Sequence, residues 1–285
     1  MTLIRMAAAL VAAAMFGGAA AAPEVLLRLD DVGMNHSVNA AIERVAATGM
    51  PFSVSLMAVG PQFDEAVAIL KKHPQVAVGV HLALNAEWRG YRWGPVLGKA
   101  AVPSLVDADG YFLPSVDGFL ASKYDLAEVE REITAQMQRV VDSGLRISYV
   151  DAHMGTLQST PQLREIHERV ARKFGLRISR QFGESYFTLW DKPVEAKKST
   201  LLSRIAGAKR DTVNLIVLHV AERTPEMDAL FDLNAPAQNS AGSGVAAHRH
   251  AELDAVLSPE LAELVRSRAI QLITYEQLAA RYRGR

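Results

Sequence analysis

Short, continuous apolar runs alternate with amphipathic stretches along almost the whole chain, and this alternation limits the fold more than any other feature. The runs are Val25–Leu29, Phe52–Val59, Val76–Leu84, Ile147–Val150, Leu176–Ser179, Val213–Leu218 and Ile270–Thr274. Such runs suit strands buried on both faces, which belong to a parallel sheet with helices outside it. Helical spacing fills the gaps: Val38, Ile42 and Val45 after a Ser37 cap, then 63–72, 125–143, 161–174, 196–206 and 259–267. The expected fold class is therefore α/β, a (β/α) barrel of about seven parallel strands in a single domain. Residues 85–124 break the pattern with Trp88, Tyr91, Trp93, Tyr111 and Phe112 among Gly and Pro, an excursion too long for an ordinary connection. Residues 235–247, rich in Gly, Ala and Ser, read as a loop.

The first residues follow a different logic. Arg5 precedes an apolar run from Met6 to Phe16, and Ala20-Ala21-Ala22 stands before Pro23. Charge, short apolar core and small-residue cleavage site describe a signal peptide over residues 1–22, with the barrel occupying 23–285. The expected location is periplasmic or secreted, without stable membrane insertion after cleavage. The apolar core is too short for a comfortable span. The chain has no cysteine, so its 285 residues, 49% of them hydrophobic, must hold together by packing. Lys and Arg number 31, as do Asp and Glu, so the formal net charge is zero. Nucleic acid is accordingly not an expected partner, because it calls for a basic excess. Oligomeric state is not legible in the sequence.

In a barrel of this kind, polar groups at the C-terminal ends of strands face the site. Those ends carry Asp30 and Asp31, His81, Asp151 and His153, Arg180, and His219. Charged and imidazole groups in apolar strands are costly unless paired or bound to a metal. Adjacent carboxylates at 30 and 31 can divide cation binding from proton transfer, or can simply begin a turn. One Asp and two His form a ligand set suited to zinc or another divalent ion. Asp151, two residues before His153, either orients an imidazole or faces the pocket. His219 can deliver a proton to a leaving group. Arg180 either holds a carboxylate or substrate, or lies on the surface. His36, His73 and His167 read as solvated helix residues, and His248 and His250 as exposed loop residues. The aromatic excursion offers either a sugar-stacking surface or a plug against the barrel.

Leu-Asp-Asp-Val-Gly at 29–33, Gly-Val-His-Leu at 79–82, Asp-Ala-His at 151–153 and the strand-end His219 together resemble the YdjC-like carbohydrate deacetylases. Ser53-Val54-Ser55-Leu56-Met57 is similar to that family's second strand, and the likeness runs from about Val25 to Leu278. The resemblance implies a distorted (β/α) barrel and one divalent metal ion, zinc or magnesium, held by Asp31, His81 and His153. It implies Asp30 as general base, His219 as acid, Arg180 as an orienting group, and an acetylated sugar or oligosaccharide as substrate. The chain departs from the family pattern at Met154-Gly155-Thr156-Leu157, where more histidines are common, and at His219-Val220-Ala221, where His-Pro-Gly is typical. A signal peptide is also unusual for sugar-uptake members. Two other functions fit the same residues: a metal hydrolase of a non-sugar amide or ester, and an inactive sugar-binding protein on the same scaffold.

Overall fold

The computed structural model describes residues 21–234 and 244–282. The signal-peptide reading falls almost entirely on residues 1–20, outside the described residues. Seven strands form one sheet: β1 (Glu24–Val32), β2 (Ser53–Leu56), β3 (Ala77–Leu82), β4 (Ile147–Ala152), β5 (Ser185–Thr188), β6 (Asn214–Leu218) and β7 (Gln271–Ile273). Their order is β4-β3-β2-β1-β6-β5, with β7 added to the start of β1, and every pairing is parallel. Beyond β4, Ile178 bridges to Val150 and carries the sheet toward closure. The result is a single α/β unit with the curvature of a distorted barrel.

The apolar runs form strands because both faces of the sheet are covered. Leu26, Leu27, Leu29, Val54, Leu56, Val80, Leu215 and Ile216 are fully buried. Helices His36–Ala46, Phe63–Lys72, Leu126–Asp142 and Pro161–Lys173 bury one stripe each against the outside. Asn35, not Ser37, caps the first of these, its side chain accepting from the Val38 N–H at 2.9 Å.

Three expectations need correction. The run 176–179 makes only the Ile178 bridge, and the fifth strand is Ser185–Thr188, a half-exposed edge with no apolar run to mark it. The described end of the supposed loop, from Val245, begins a helix that runs to Val256 and buries His248 and Arg249. His167 is also buried, on the inner side of helix Pro161–Lys173. Among the described residues, no helix is long and apolar enough to cross a membrane.

The excursion packs onto the mouth of the barrel. Trp88, Trp93 and Phe112 are buried, so these rings plug the insertion rather than present a sugar-stacking face. Glu132 accepts the Val96 and Leu97 N–H groups, and Gln136 bonds both backbone groups of Ala83. Trp88 in turn bridges to Asp232, which brings residues 87–89 beside 231–233.

Candidate metal centre and its cleft

Successive side chains on a strand point to opposite faces, yet Asp30 and Asp31 line the same cleft. A bulge resolves this. The β1–β2 register shifts between Leu29 and Val32, and Asp31 adopts φ 64°. Bulges re-aim side chains in this way, and Asp tolerates left-handed backbone better than most residues. On β3, His81 pairs directly across from Asp151 on β4. Two residues further, where β4 ends, His153 returns to the face of Asp151. Two consecutive left-handed residues, Met154 and Gly155, then turn the chain away.

These elements bring three atoms together from distant parts of the chain. His81 Nε2 lies 3.3 Å from Asp31 Oδ1, His153 Nδ1 lies 3.2 Å from the same oxygen, and the two nitrogens are 3.3 Å apart. A tetrahedral zinc site with bonds of about 2.0–2.1 Å separates its ligands by about 3.3 Å. The hydrogen bonds behind the triangle identify which atoms carry lone pairs. His81 Nδ1 meets Asp151 Oδ1 at 2.9 Å, and His153 Nε2 meets Glu87 Oε2 at 2.9 Å. Ionised carboxylates only accept, so in the neutral rings these nitrogens carry the protons and His81 Nε2 and His153 Nδ1 are the acceptors. Asp31 Oδ1 is buried without a hydrogen-bond donor. Three converging acceptors repel one another unless a cation lies among them, so the residues present fit a divalent ion.

The electrostatics show what replaces such a cation when none is bound. Burial works against a charge on His81, but the Asp151 and Asp30 carboxylates outweigh it and raise the imidazole to about 9. Burial opposes the His153 charge too, and Glu87 and Asp31 lift it well above its ordinary value. Burial also disfavours the Asp31 carboxylate. The Arg249 guanidinium, aided by His153 and His81, nevertheless holds it well below the usual carboxylate range. Protons thus compete with metal for this site.

The neighbouring carboxylates are fixed by a residue that strand periodicity conceals. Arg28, inside β1 and 6% exposed, grips Asp30 with Nε and Nη2, both at 2.7 Å. Its Nη1 reaches Asp151 Oδ2 at 2.9 Å and Ser179 Oγ at 2.7 Å. The guanidinium on Asp30 is therefore Arg28's. Arg180 lies on the exposed rim of the same cleft at φ 72°, its guanidinium 4.7 Å from the Tyr186 ring centre. Glu184 accepts the Arg180 and Phe182 N–H groups and steadies that turn.

His219 also lines the cleft, with its ring edge-on to Trp190 at 5.0 Å and its Nδ1 without a partner. Burial lowers it to about 4, although the nearby Asp31 pulls the other way, so it is neutral at rest. Its backbone N–H donates to Glu252, which is paired with the buried Lys197 at 2.6 Å. The cleft encloses about 750 Å³, and its aromatic surfaces are Tyr186 and Trp190. Arg28, Glu87 and Arg249 line the cleft as well, and the strand-end reading did not find them.

The chain is similar to several known proteins. The family described as YdjC-like protein matches residues 24–267. A carbohydrate deacetylase of Brevibacillus brevis is 25% identical over 263 residues, covering 90% of this chain and 99% of that one. One from Listeria monocytogenes is 32% identical over 167 residues, 58% of this chain and 63% of that protein. Among solved structures, a protein of Enterococcus faecalis described as a cellobiose-phosphate cleavage protein superposes with a TM-score of 0.69 at 26% identity. That match covers 90% of this chain and 99% of the other.

Proposed function

The chain belongs to the YdjC-like protein family, and from that premise we propose that it is a metal-dependent carbohydrate deacetylase that hydrolyses the acetamide of an N-acetylated sugar. The observation that carries this reading is the triangle of lone pairs on Asp31, His81 and His153, beside a carboxylate that is not part of it. Two imidazoles and one carboxylate at tetrahedral spacing support zinc over magnesium, which demands octahedral ligands about 2.9 Å apart at its bond lengths. A bound ion supplies polarisation of the acetyl carbonyl and of water, and offsets the negative charge that develops on oxygen.

The remaining chemistry is assigned to the protein's own groups. Asp30, held by Arg28, takes a proton from the water that adds to the carbonyl carbon. Carbon–nitrogen cleavage then yields acetate and a free amino sugar. His219 is neutral in the resting cleft. Negative charge building beside it raises its proton affinity, so it takes up a proton from solvent and passes it to the departing amine, while Asp30 afterwards releases to solvent the proton it took from water. Arg180 and Tyr186, at the rim, orient the sugar. Export belongs to the same proposal, supported by the leader-like residues 1–22.

The test is acetate release from N-acetylglucosamine oligomers and peptidoglycan fragments, set against simple esters and amides, before and after chelation. Chelator-sensitive release from the sugars supports the proposal. Release from esters alone, or none at all from a zinc-loaded protein, contradicts it.

A further inference from the structure

Arg249 has more hydrogen-bonding capacity than its surroundings use. It is 1% exposed, and Nη2 donates to Asp31 Oδ2 at 2.6 Å. Its Nε and Nη1 are buried without any acceptor. Arg28 provides the contrast, since each of its three nitrogens has a partner in the same cleft. Unused buried donors are costly, the more so when charged, so they call for a ligand.

The surroundings restrict what that ligand can be. Arg249 lines the cleft, with Cζ 5.4 Å from the Trp88 ring centre and 5.6 Å from that of Trp190. The site is thus desolvated, and both free nitrogens are donors, so the missing partner is an oxygen acceptor. Because Nη2 holds the second oxygen of a proposed metal ligand, that acceptor sits beside the ion. His219, with its own unpartnered Nδ1, faces the same space.

We propose that Arg249 binds the acyl oxygen of the substrate and then the carboxylate of the acetate product, donating through Nε and Nη1. The inference rests on the deacetylase reading, because hydrolysis of the acetamide turns one carbonyl oxygen into the two oxygens of a carboxylate. Arginine suits both stages, since its donor fork matches a planar carboxylate. A purely structural Arg249 would steady Asp31 and nothing more.

Acetate itself is the probe that separates these roles, added to zinc-loaded protein without sugar. The Nε–H resonance of Arg249, assigned by its loss in Arg249→Lys, is expected to shift saturably with acetate. Acetate affinity measured by calorimetry is expected to fall by about tenfold or more in Arg249→Lys, as loss of a charged hydrogen bond implies. Equal acetate affinity in the variant overturns the proposal, as does an Arg249 resonance that ignores acetate or a loaded wild-type protein that binds none. If Arg249→Lys also loses zinc, the wild-type resonance alone decides. Failure to deacetylate any sugar would sink the deacetylase reading without altering this acetate response, so the two failures can be told apart.

Discussion

Glu87 accepts a hydrogen bond from His153 Nε2 at 2.9 Å, and that bond leaves Nδ1 of the same ring facing Asp31 Oδ1 at 3.2 Å. A residue from the excursion therefore sets the tautomer of a candidate metal ligand. Outer partners of this kind are worth about 10–100-fold in metal affinity. Glu87→Ala is expected to weaken zinc binding within that range, whereas Glu87→Gln, which keeps an acceptor, should lose less. Competition calorimetry with a chelator checks both, and unchanged affinity in Glu87→Ala would remove Glu87 from the account.

Asp30 has a different dependence. Both its oxygens are held by Arg28 and neither belongs to the Asp31–His81–His153 triangle. Asp30→Asn should lower kcat by about a hundredfold or more, within the range of general acid–base catalysis, and leave zinc affinity within a few-fold. Steady-state kinetics beside a zinc titration tests this; wild-type turnover would show that Asp30 is not the base.

The pH response of the metal-free protein follows from His81. Its folded value of about 9 lies above the ordinary 6.5, because Asp151 and Asp30 outweigh burial. Its contribution to stability is therefore fully present below pH 6.5 and is lost as pH rises through 9. Zinc affinity runs the other way, strengthening over the same window as the proton leaves. Thermal melts of chelated protein between pH 6 and 9.5 should show Tm falling, more steeply than in His81→Gln. A flat difference would contradict this.

Much of the site was legible as cost. Asp31, His81 and His153 are polar groups at the ends of apolar strands, and such groups need a partner. Arg28 gave the same signal inside Leu27-Arg28-Leu29, but period-2 reading treats it as an interruption of the strand. Arg249 was hidden for another reason. Its helix buries Arg249, His248 and Glu252 together with Val245, Leu253 and Val256, so polar residues face inward and no apolar stripe forms. Glu87 sits in a segment with no period at all, and only its bridge to residues 231–233 brings it to the metal triangle. The missed fifth strand, Ser185–Thr188, has partly exposed residues that alternation cannot separate from loop.

Two stability predictions separate buried from exposed charge. Lys197 and Glu252 pair at 2.6 Å with side chains 0% and 1% exposed. Lys197→Met should cost about 3–5 kcal/mol in denaturant unfolding, because Glu252 is left buried and unpaired. Lys198→Met, which breaks the exposed pair with Glu260, should leave the unfolding midpoint almost unchanged. Equal costs would contradict the burial argument.

Gly79 of the Gly-Val-His-Leu segment has no room for a side chain. An added Cβ would meet the Tyr149 ring at 2.3 Å, and Tyr149 bonds Ser55 beneath Asp151. Gly79→Ala should cost about 1–3 kcal/mol through overpacking and weaken zinc binding by disturbing Asp151. Unfolding curves with a zinc titration check both effects.

Metal stoichiometry tests the central claim most directly. Elemental analysis of zinc-loaded, desalted protein should find one ion per chain in the wild type and close to none in the His81→Ala/His153→Ala double variant, with the fold intact by circular dichroism. A full equivalent of zinc retained by that folded variant would place the ion elsewhere and contradict the account.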